Sequence, residues 1–217
     1  MRTIDRSPED LDAVFLTHEH SDHIRGVGPL ARKYGLAVYS TKGTQDNGNR
    51  VIGKIADWRL IRQADKLHVG DMVVEAYPTP HDSEESVAYV VTCGTRKLAH
   101  AADLGMVTDH VRDKLSQADA LMVESNHDVD MLNAGPYPWS LKQRIKSDLG
   151  HLSNEACADL LSAVNHDRLQ TVVLIHISET NNLPEIARLT AAQALKNGSA
   201  KMLLARQDQP TELLAIQ

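Results

Sequence analysis

Short runs of apolar residues recur along the chain, separated by polar segments that contain Gly and Pro. Such runs are typical of buried β-strands. Two of the turns between neighbouring runs contain a glycine, Gly70 and Gly94, and predict β-hairpins. The pattern predicts strands at Ala13–Thr17, Leu36–Ser40, Met72–Tyr77, Ser86–Cys93, Lys97–Ala101, Ala120–Glu124, Thr171–Ile177, Lys201–Arg206 and Glu212–Ile216.

Helical patterns with recognisable first residues lie between several of these strands. Ser7 precedes Pro8-Glu9-Asp10, and Thr108 and Ser153 can cap the helices that follow them. These two helices are expected to reach Gln117 and about Val164, and a third to run from Pro184 to about Lys196, before Asn197-Gly198. Early strands joined by hairpins and later strands alternating with helices predict an α/β sandwich of sheets with helices outside.

Length and composition agree with one globular domain, residues 1–217. Hydrophobic residues make up 42% of the chain and charged residues 24%. No apolar run approaches the ~20 residues that cross a bilayer, and the charged N-terminus does not resemble a secretory signal. With only two cysteines, Cys93 and Cys157, a disulfide framework is not expected. These features predict a cytoplasmic protein without a membrane partner.

Charge and histidine content bear on the chemistry. The net charge is −6, from 23 basic and 29 acidic residues, which counts mildly against nucleic acid as a partner. Bound metal cations would change the local field at a site, however. The chain has eleven histidines, and this number directs attention to metal ligands.

Four candidate ligands directly follow the first predicted strand: His18, His20, Asp22 and His23. In an extended chain, alternate side chains point to the same side, so His18 and His20 can bind one metal ion. Asp22 and His23 lie past the turn and can face a second ion. Imidazole nitrogen and carboxylate oxygen suit zinc, manganese or iron. The alternative, a solvated loop that happens to be rich in histidine, is disfavoured by three histidines and an aspartate within six residues.

Further candidates follow other predicted strands: His81, Asp103, His176 and, before a helix, His151. For each of them alone, a hydrogen-bonded structural role is at least as good an interpretation. Their shared position at strand carboxyl ends favours one common site. For His100 and His127, the sequence leaves open whether the side chain orients a metal ligand or packs in the core. The other three histidines are interpreted as structural or solvated: His68, His110 and His166.

This arrangement resembles the metallo-β-lactamase superfamily, whose first motif, HxHxDH, is matched by His18, His20, Asp22 and His23. The resemblance implies an αββα sandwich that binds two divalent metal ions. The first metal would be bound by His18, His20, His81 and Asp103. The second would be bound by Asp22, His23, Asp103 and His176, with Asp103 bridging.

The chain is similar in particular to the YycJ/WalJ-type nuclease-like branch, through segments dispersed from about residue 9 to 183. These are Pro80–Ser83, Glu124–Asp128, Gly135–Trp139, Gly150–Asn154 and His176–Asn182. Members usually carry a Gly/Ser-rich segment of about two strands before the first motif, and we expect the fold here to be shortened by it. The resemblance implies a 5′-to-3′ DNA exonuclease.

The bridging Asp103 makes the predicted site rich in oxygen, which suits zinc or manganese, and iron as a further candidate, in a phosphodiesterase. We expect a hydroxide between the metals to attack phosphorus. Asp22 and His151 are the predicted catalytic residues, with His151 contacting the scissile phosphate or protonating the leaving oxygen. For His151, helix capping or the orientation of a ligand is the alternative interpretation.

Other functions stay open. A basic run, Lys142–Lys146, follows Tyr137 and Trp139, and predicts equally well a nucleic-acid contact or a solvated helix face. The enzyme alternatives are a thioesterase and a tRNA 3′-processing endonuclease of the same fold. A non-catalytic metal-binding or regulatory protein is the third alternative. A β-lactamase fits poorly, because the chain has Asp at the bridging position and no export signal. The oligomeric state is not indicated.

Overall fold

The computed structural model describes residues 4–195 and 199–217. The expected end of the last helix, at Lys196 to Gly198, lies outside the described residues. The chain divides into two compact units. The first runs to Pro78 and includes Asp82–Tyr89; the second includes Thr79–His81 and continues from Val90. A single domain stays a prediction.

The first unit contains a parallel sheet in the order β1-β2-β3 and an antiparallel hairpin, β4–β5. Gly70, with φ +56°, forms the hairpin turn in a conformation that favours glycine. A 3₁₀ turn at Pro8–Asp10 precedes the sheet. The elements are β1 (Ala13–Phe15), α1 (Ser21–Ile24), α2 (Val27–Tyr34), β2 (Ala37–Ser40), α3 (Lys42–Ile52), β3 (Trp58–Leu60), β4 (Lys66–Val69), β5 (Met72–Pro78) and the beginning of β6 (Val87–Cys93).

Burial of apolar side chains fixes the helices of this unit against its sheet. Leu16, Ile24, Val38 and Ile52 are all at most 2% exposed and belong to one cluster. A Cβ at Gly28 would lie 2.0 Å from the carbonyl oxygen of Ile52, so only glycine allows this approach of α2 and α3. The helices α2 and α3 are therefore packed closely on each other, beside the apolar cluster.

The second unit has strands in the order β10-β9-β8-β7-β6, of which β7 to β10 are parallel and β6–β7 is an antiparallel hairpin. Every residue of β9 is buried, as expected for a strand covered on both faces. The carboxyl ends of β7, β8 and β9 share one edge. The elements are the end of β6, β7 (Arg96–Ala101), α4 (Asp109–Leu115), β8 (Ala120–Glu124), α5 (Val129–Ala134), α6 (Trp139–Ile145), α7 (Asn154–Val164), β9 (Thr171–Ile175), α8 (Pro184–Ala194) and β10 (Lys201–Leu204).

The last predicted strand, Glu212–Ile216, is wrong. Leu214 packs against an apolar cluster on the second sheet. The main chain of Gln217 hydrogen-bonds the side chain of Gln170, instead of forming a strand ladder. All the other predicted strands have counterparts, and α4 and α7 begin after Thr108 and Ser153 as predicted.

Several elements have no counterpart in the sequence prediction: β3, α1, α2, α3, α5 and α6. The hairpin predicted at Gly70 is confirmed, although the bounds of its first strand, β4, were not predicted. None of the helices in the described part of the chain combines the length and apolar character needed to cross a bilayer.

Candidate metal centre

In the first unit, hydrogen bonds to neighbouring strands fix the start of the histidine motif. The backbone N–H of Leu16 donates to the carbonyl oxygen of Tyr39 at 2.9 Å, and the hydroxyl of Tyr89 donates to the carbonyl oxygen of Leu16. The N–H of Val87 donates to the carbonyl oxygen of Thr17 at 3.0 Å. The motif therefore leaves a strand end whose backbone is held on both sides.

Three imidazole rings of the motif lie together. The ring centroids of His18 and His20 are 4.6 Å apart, and those of His18 and His23 are 4.1 Å apart. The Thr17 hydroxyl lies 3.1 Å from Nδ1 of His18 and 3.0 Å from Nδ1 of His23. Because a hydroxyl carries one hydrogen, it donates to at most one of these nitrogens and accepts from the other. Thr17 thus orients both rings through Nδ1, and Nε2 can bind a metal in the ring whose Nδ1 donates to the hydroxyl.

Asp22 and His23 lie in the short helix α1, whose N-cap is His20. Nε2 of His23 is 3.6 Å from the Asp22 carboxylate, which is 62% exposed, and Nε2 of His20 is 3.9 Å from Oδ1 of Asp82. The four motif residues thus lie just past β1 and in the short helix that follows it, a helix that the sequence did not predict.

In the second unit, Asp103 is the centre of a group of histidines. Its Oδ1 lies 3.7 Å from Nε2 of His81, 3.7 Å from Nε2 of His176 and 3.6 Å from Nδ1 of His151. Asp103 itself is 2% exposed. All four residues of this unit that the sequence marked as candidates are therefore brought together around one carboxylate.

Two of these residues have unusual backbones. Asp103, after β7, has φ +53°, and His176, after β9, has φ +56°. A side chain in the left-handed region costs about 1–2 kcal/mol, and such conformations concentrate at functional sites. The position of each side chain is thus maintained at the expense of local stability.

Sequence reasoning missed Glu124, which is fully buried at the end of β8. Its Oε1 accepts hydrogen bonds from Nδ1 of His151 and of His176, each at 2.7 Å. Its Oε2 accepts from the backbone N–H of Leu104 at 2.9 Å and of Leu152 at 3.4 Å. Glu124 could have been identified by the same signal as Asp103, which is an acidic residue at the end of an apolar run.

The hydrogen bonds to Glu124 set proton positions. Burial alone would raise the pKa of Glu124, but the N–H groups of His151 and His176 lower it below its usual value. Burial alone would lower the pKa of His151, but the Glu124 carboxylate raises it above its usual value. Since Nδ1 of both histidines donates to Glu124, their Nε2 atoms are the ones available to a metal or a substrate.

Two glycines allow the loops around this cluster to pack closely. A Cβ at Gly150 would lie 2.1 Å from the carbonyl oxygen of Ile145, and one at Gly105 would lie 2.3 Å from that of Asp148. The carbonyl oxygen of Gly150 lies 3.2 Å from Nδ1 of His81, and the N–H of His151 donates to Ile145 at 2.9 Å. The loop before α7 therefore orients His81 and His151.

With this geometry established, comparison with known proteins identifies the family. The family model described as "Beta-lactamase superfamily domain" matches residues 1–177. The chain belongs to the β-lactamase superfamily. This membership confirms the predicted metallo-β-lactamase fold, an α/β fold of sheets and helices, and makes the chain a metal-dependent hydrolase.

The chain is also similar to individual members. It is 42% identical to Exodeoxyribonuclease YycJ of Bacillus anthracis over 189 residues, which are 86% of this chain and 72% of that protein. It is 38% identical to Exodeoxyribonuclease WalJ of Streptococcus pneumoniae over 196 residues, 88% of this chain and 73% of that protein. The predicted membership of the YycJ/WalJ branch is confirmed.

A solved structure shows the same fold. The metallo-β-lactamase fold protein YhfI from Bacillus subtilis matches with a TM-score of 0.71 at 21% identity, covering 92% of this chain and 76% of that one.

The residues of this superfamily member fit divalent metal ions. In the second unit, Oδ1 of the buried Asp103 lies 3.7 Å from Nε2 of His81 and 3.7 Å from Nε2 of His176. A buried carboxylate beside imidazole nitrogens is a donor set that zinc, manganese and iron accept. That the first-unit motif and the second-unit cluster share their metals stays a prediction, as do the individual ligand assignments.

The remaining histidines differ in their surroundings. Nε2 of His166 donates to the carbonyl oxygen of Ala118 at 3.1 Å, and its Nδ1 accepts from the N–H of Arg168 at 3.2 Å, in agreement with the predicted structural role. His127 is 2% exposed, and its Nδ1 has no hydrogen-bond partner among the described residues. Burial lowers the pKa of His127.

Proposed function

We propose that this chain is a phosphodiesterase that removes nucleotides from the 5′ end of DNA, using two divalent metal ions. The observation that carries the proposal is the second-unit cluster, in which Nδ1 of His151 and of His176 donates to Glu124 and leaves Nε2 of each ring available, with Oδ1 of the buried Asp103 3.7 Å from Nε2 of His176. The choice of DNA is supported by the relatives named exodeoxyribonucleases, at 42% and 38% identity.

In this proposal the ligands are those that the superfamily motifs indicate. His18, His20, His81 and Asp103 would hold one ion, and Asp22, His23, Asp103 and His176 the other. When bound, such ions neutralise charge on a phosphodiester and make water a better nucleophile. Zinc and manganese fit this oxygen-rich donor set, and iron is a third candidate.

His151 is the residue that we assign to proton transfer. Its Nδ1 donates to Glu124, so Nε2 is the atom that can face a substrate oxygen. The Glu124 carboxylate also raises the pKa of His151, which favours the protonated ring. A proton on Nε2 can then pass to the leaving oxygen. Asp22, exposed in α1, would act through the metal that it helps to bind.

The test compares linear duplex DNA, labelled at its 5′ end, with covalently closed circular DNA, in the presence of manganese or zinc. We expect release of labelled mononucleotides from the linear DNA and no cleavage of the circle. Asp103→Asn should abolish activity and metal binding, because Asp103 is central to the cluster. The matched control is Asp109→Asn, whose carboxylate is 92% exposed on α4 and should not matter.

Cleavage of the circular DNA would contradict exonuclease action. Two metals still bound to Asp103→Asn would contradict the ligand assignment. Absence of any phosphodiester cleavage by a fully metal-loaded protein would contradict the proposed reaction.

A further inference from the structure

We propose that Trp139 and Lys146 form a platform, here called the Trp139 platform, on which an unpaired base of the nucleic-acid substrate stacks. The identity of the ligand as DNA rests on the proposed function. Four features of the second unit support the platform. They are the exposure of the Trp139 ring, the ammonium group held over it, the hydrogen bond that connects its helix to His151, and the polar side chains on the same helix.

The first observation is the exposure of the ring. Trp139 is the first residue of α6 and is 71% exposed, although the chain contains only two tryptophans. A single exposed apolar residue is common and by itself indicates nothing. What distinguishes Trp139 is the arrangement of charged and polar groups around it.

The second observation is a cation fixed over the ring. Nζ of Lys146 lies 5.5 Å from the centroid of the Trp139 ring and donates a hydrogen bond to Oδ1 of Asn133 at 2.9 Å. Nζ of Lys142, a buried residue, donates to the carbonyl oxygen of Asn133 at 2.7 Å. Because both lysines bind Asn133, α6 is tied to the end of α5. Lys146 thus covers one ring face, and the high exposure of Trp139 leaves area for a base.

The third observation is the connection to the proposed catalytic residue. The carbonyl oxygen of Ile145, at the end of α6, accepts a hydrogen bond from the N–H of His151 at 2.9 Å. Close packing at Gly150 tightens the same loop. Trp139 is six helical residues from Ile145, about 9 Å along the axis at ~1.5 Å per residue. Since stacked nucleotides are ~3.4 Å apart, this distance along α6 corresponds to a few nucleotides.

The fourth observation is the chemistry of the surface around the ring. Ser140, Gln143 and Arg144, on the same helix, are exposed and polar. A flat aromatic ring, a fixed ammonium group and polar neighbours suit one base with its phosphate. Insertion into a bilayer requires a broader apolar face than one ring with polar neighbours provides. An unpaired base is therefore the occupant that the surface fits.

The binding test uses the fluorescence of Trp139. In Trp58→Phe, Trp139 is the only tryptophan, and a chelator prevents hydrolysis. We expect a short oligothymidylate to quench this fluorescence, and a closed duplex without unpaired bases to quench it much less. Anionic vesicles should leave the emission unchanged.

The variants test the energetic role. Trp139→Ala should weaken oligothymidylate binding by roughly 5- to 150-fold, the range expected for one stacked base. Trp139→Phe should retain part of the affinity. Leu189→Ala, which shortens a 58% exposed side chain on α8, is the matched control and should leave binding unchanged. In turnover, Trp139→Ala should raise KM for single-stranded DNA with little change in kcat, and should not affect hydrolysis of bis(p-nitrophenyl) phosphate.

The outcomes separate this proposal from the proposed function. Quenching and a selective Trp139→Ala defect in a protein that does not cleave DNA would support the platform and reject the exonuclease. DNA cleavage with equal KM in Trp139→Ala and Leu189→Ala would overturn the platform and leave the exonuclease intact. A blue shift with vesicles and no quenching by the oligonucleotide would overturn the platform in favour of a membrane contact.

Discussion

Glu124→Gln removes a charge from the buried cluster while preserving the size of the side chain. Oε1 of Glu124 accepts from His151 and His176, and Oε2 accepts from the N–H groups of Leu104 and Leu152. All four partners are donors in this structure, whereas a glutamine amide has one acceptor oxygen and one NH₂ donor. Whichever way the amide is turned, its NH₂ group faces two of these partners.

Each orientation of the glutamine amide lowers the free energy of unfolding. With the amide oxygen toward the histidines, the N–H of Leu104 loses a 2.9 Å bond, and a buried unsatisfied donor costs about 1–3 kcal/mol. With the oxygen toward the backbone, His151 and His176 can accept from the NH₂ group only by moving a proton to Nε2, the atom needed by a metal. Including the weaker bonds to a neutral acceptor, we expect a loss of about 2–4 kcal/mol in unfolding free energy.

Urea unfolding of the metal-free protein measures the first effect, and a loss of this size lowers Tm by roughly 4–16 °C in a chain of this length. Metal titration measures the second effect, for which we expect about a 10- to 100-fold loss in affinity. Glu155→Gln, the same change at an exposed position on α7, is the control. If Glu124→Gln matched Glu155→Gln within about 0.5 kcal/mol and bound metal equally well, the assigned role of Glu124 would be refuted.

Two further substitutions test the loops and the sheet. Gly150→Ala should destabilise the protein by about 1–3 kcal/mol in urea unfolding, because the added Cβ meets backbone oxygens at 2.1 and 2.3 Å. The control is Gly26→Ala, where an added Cβ would have nothing within 4 Å. Equal stability of the two variants would contradict the explanation by close packing. Burial alone would raise the pKa of Asp119, but the N–H of Lys97 and the guanidinium of Arg96 lower this pKa below its usual value. Because its pKa is lowered in the folded protein, the Asp119 carboxylate stabilises the fold at pH values above the usual carboxyl pKa, and this stabilisation is lost as the pH falls. Asp119→Asn should therefore be less stable than wild type by about 1–2 kcal/mol at pH 7. The difference should shrink below about pH 4, and a pH-independent difference would contradict the ion-pair explanation.

Local signals were sufficient for eight of the predicted strands, for the starts of α4, α7 and α8, and for the ligand motif. Thr108 and Ser153 cap helices through hydrogen bonds to residues three positions later, so their effect can be predicted from neighbours alone. His18, His20 and His23 follow a strand directly, and the short spacing forces their rings close together. Asp103 and His176 could be marked because each follows an apolar run.

Tertiary packing decided what these local signals could not. The helix α3 contains two glycines and two asparagines and forms with its end, Ile52, buried in the first unit. Glu124 binds His151 and His176, which are 27 and 52 residues away along the chain. The parallel pairing of β8 and β9 brings His176 within reach, and the hydrogen bonds of Leu152 to Glu124 and Asn126 bring the loop that carries His151.

The backbone of the site residues shows the same division. The sequence by itself determined which side chains could bind metal, because residue type and strand position are local properties. It did not determine the left-handed backbones of Asp103 and His176, which local preference disfavours. Those conformations, and the proton positions set by Glu124, depend on long-range packing that outweighs the local cost.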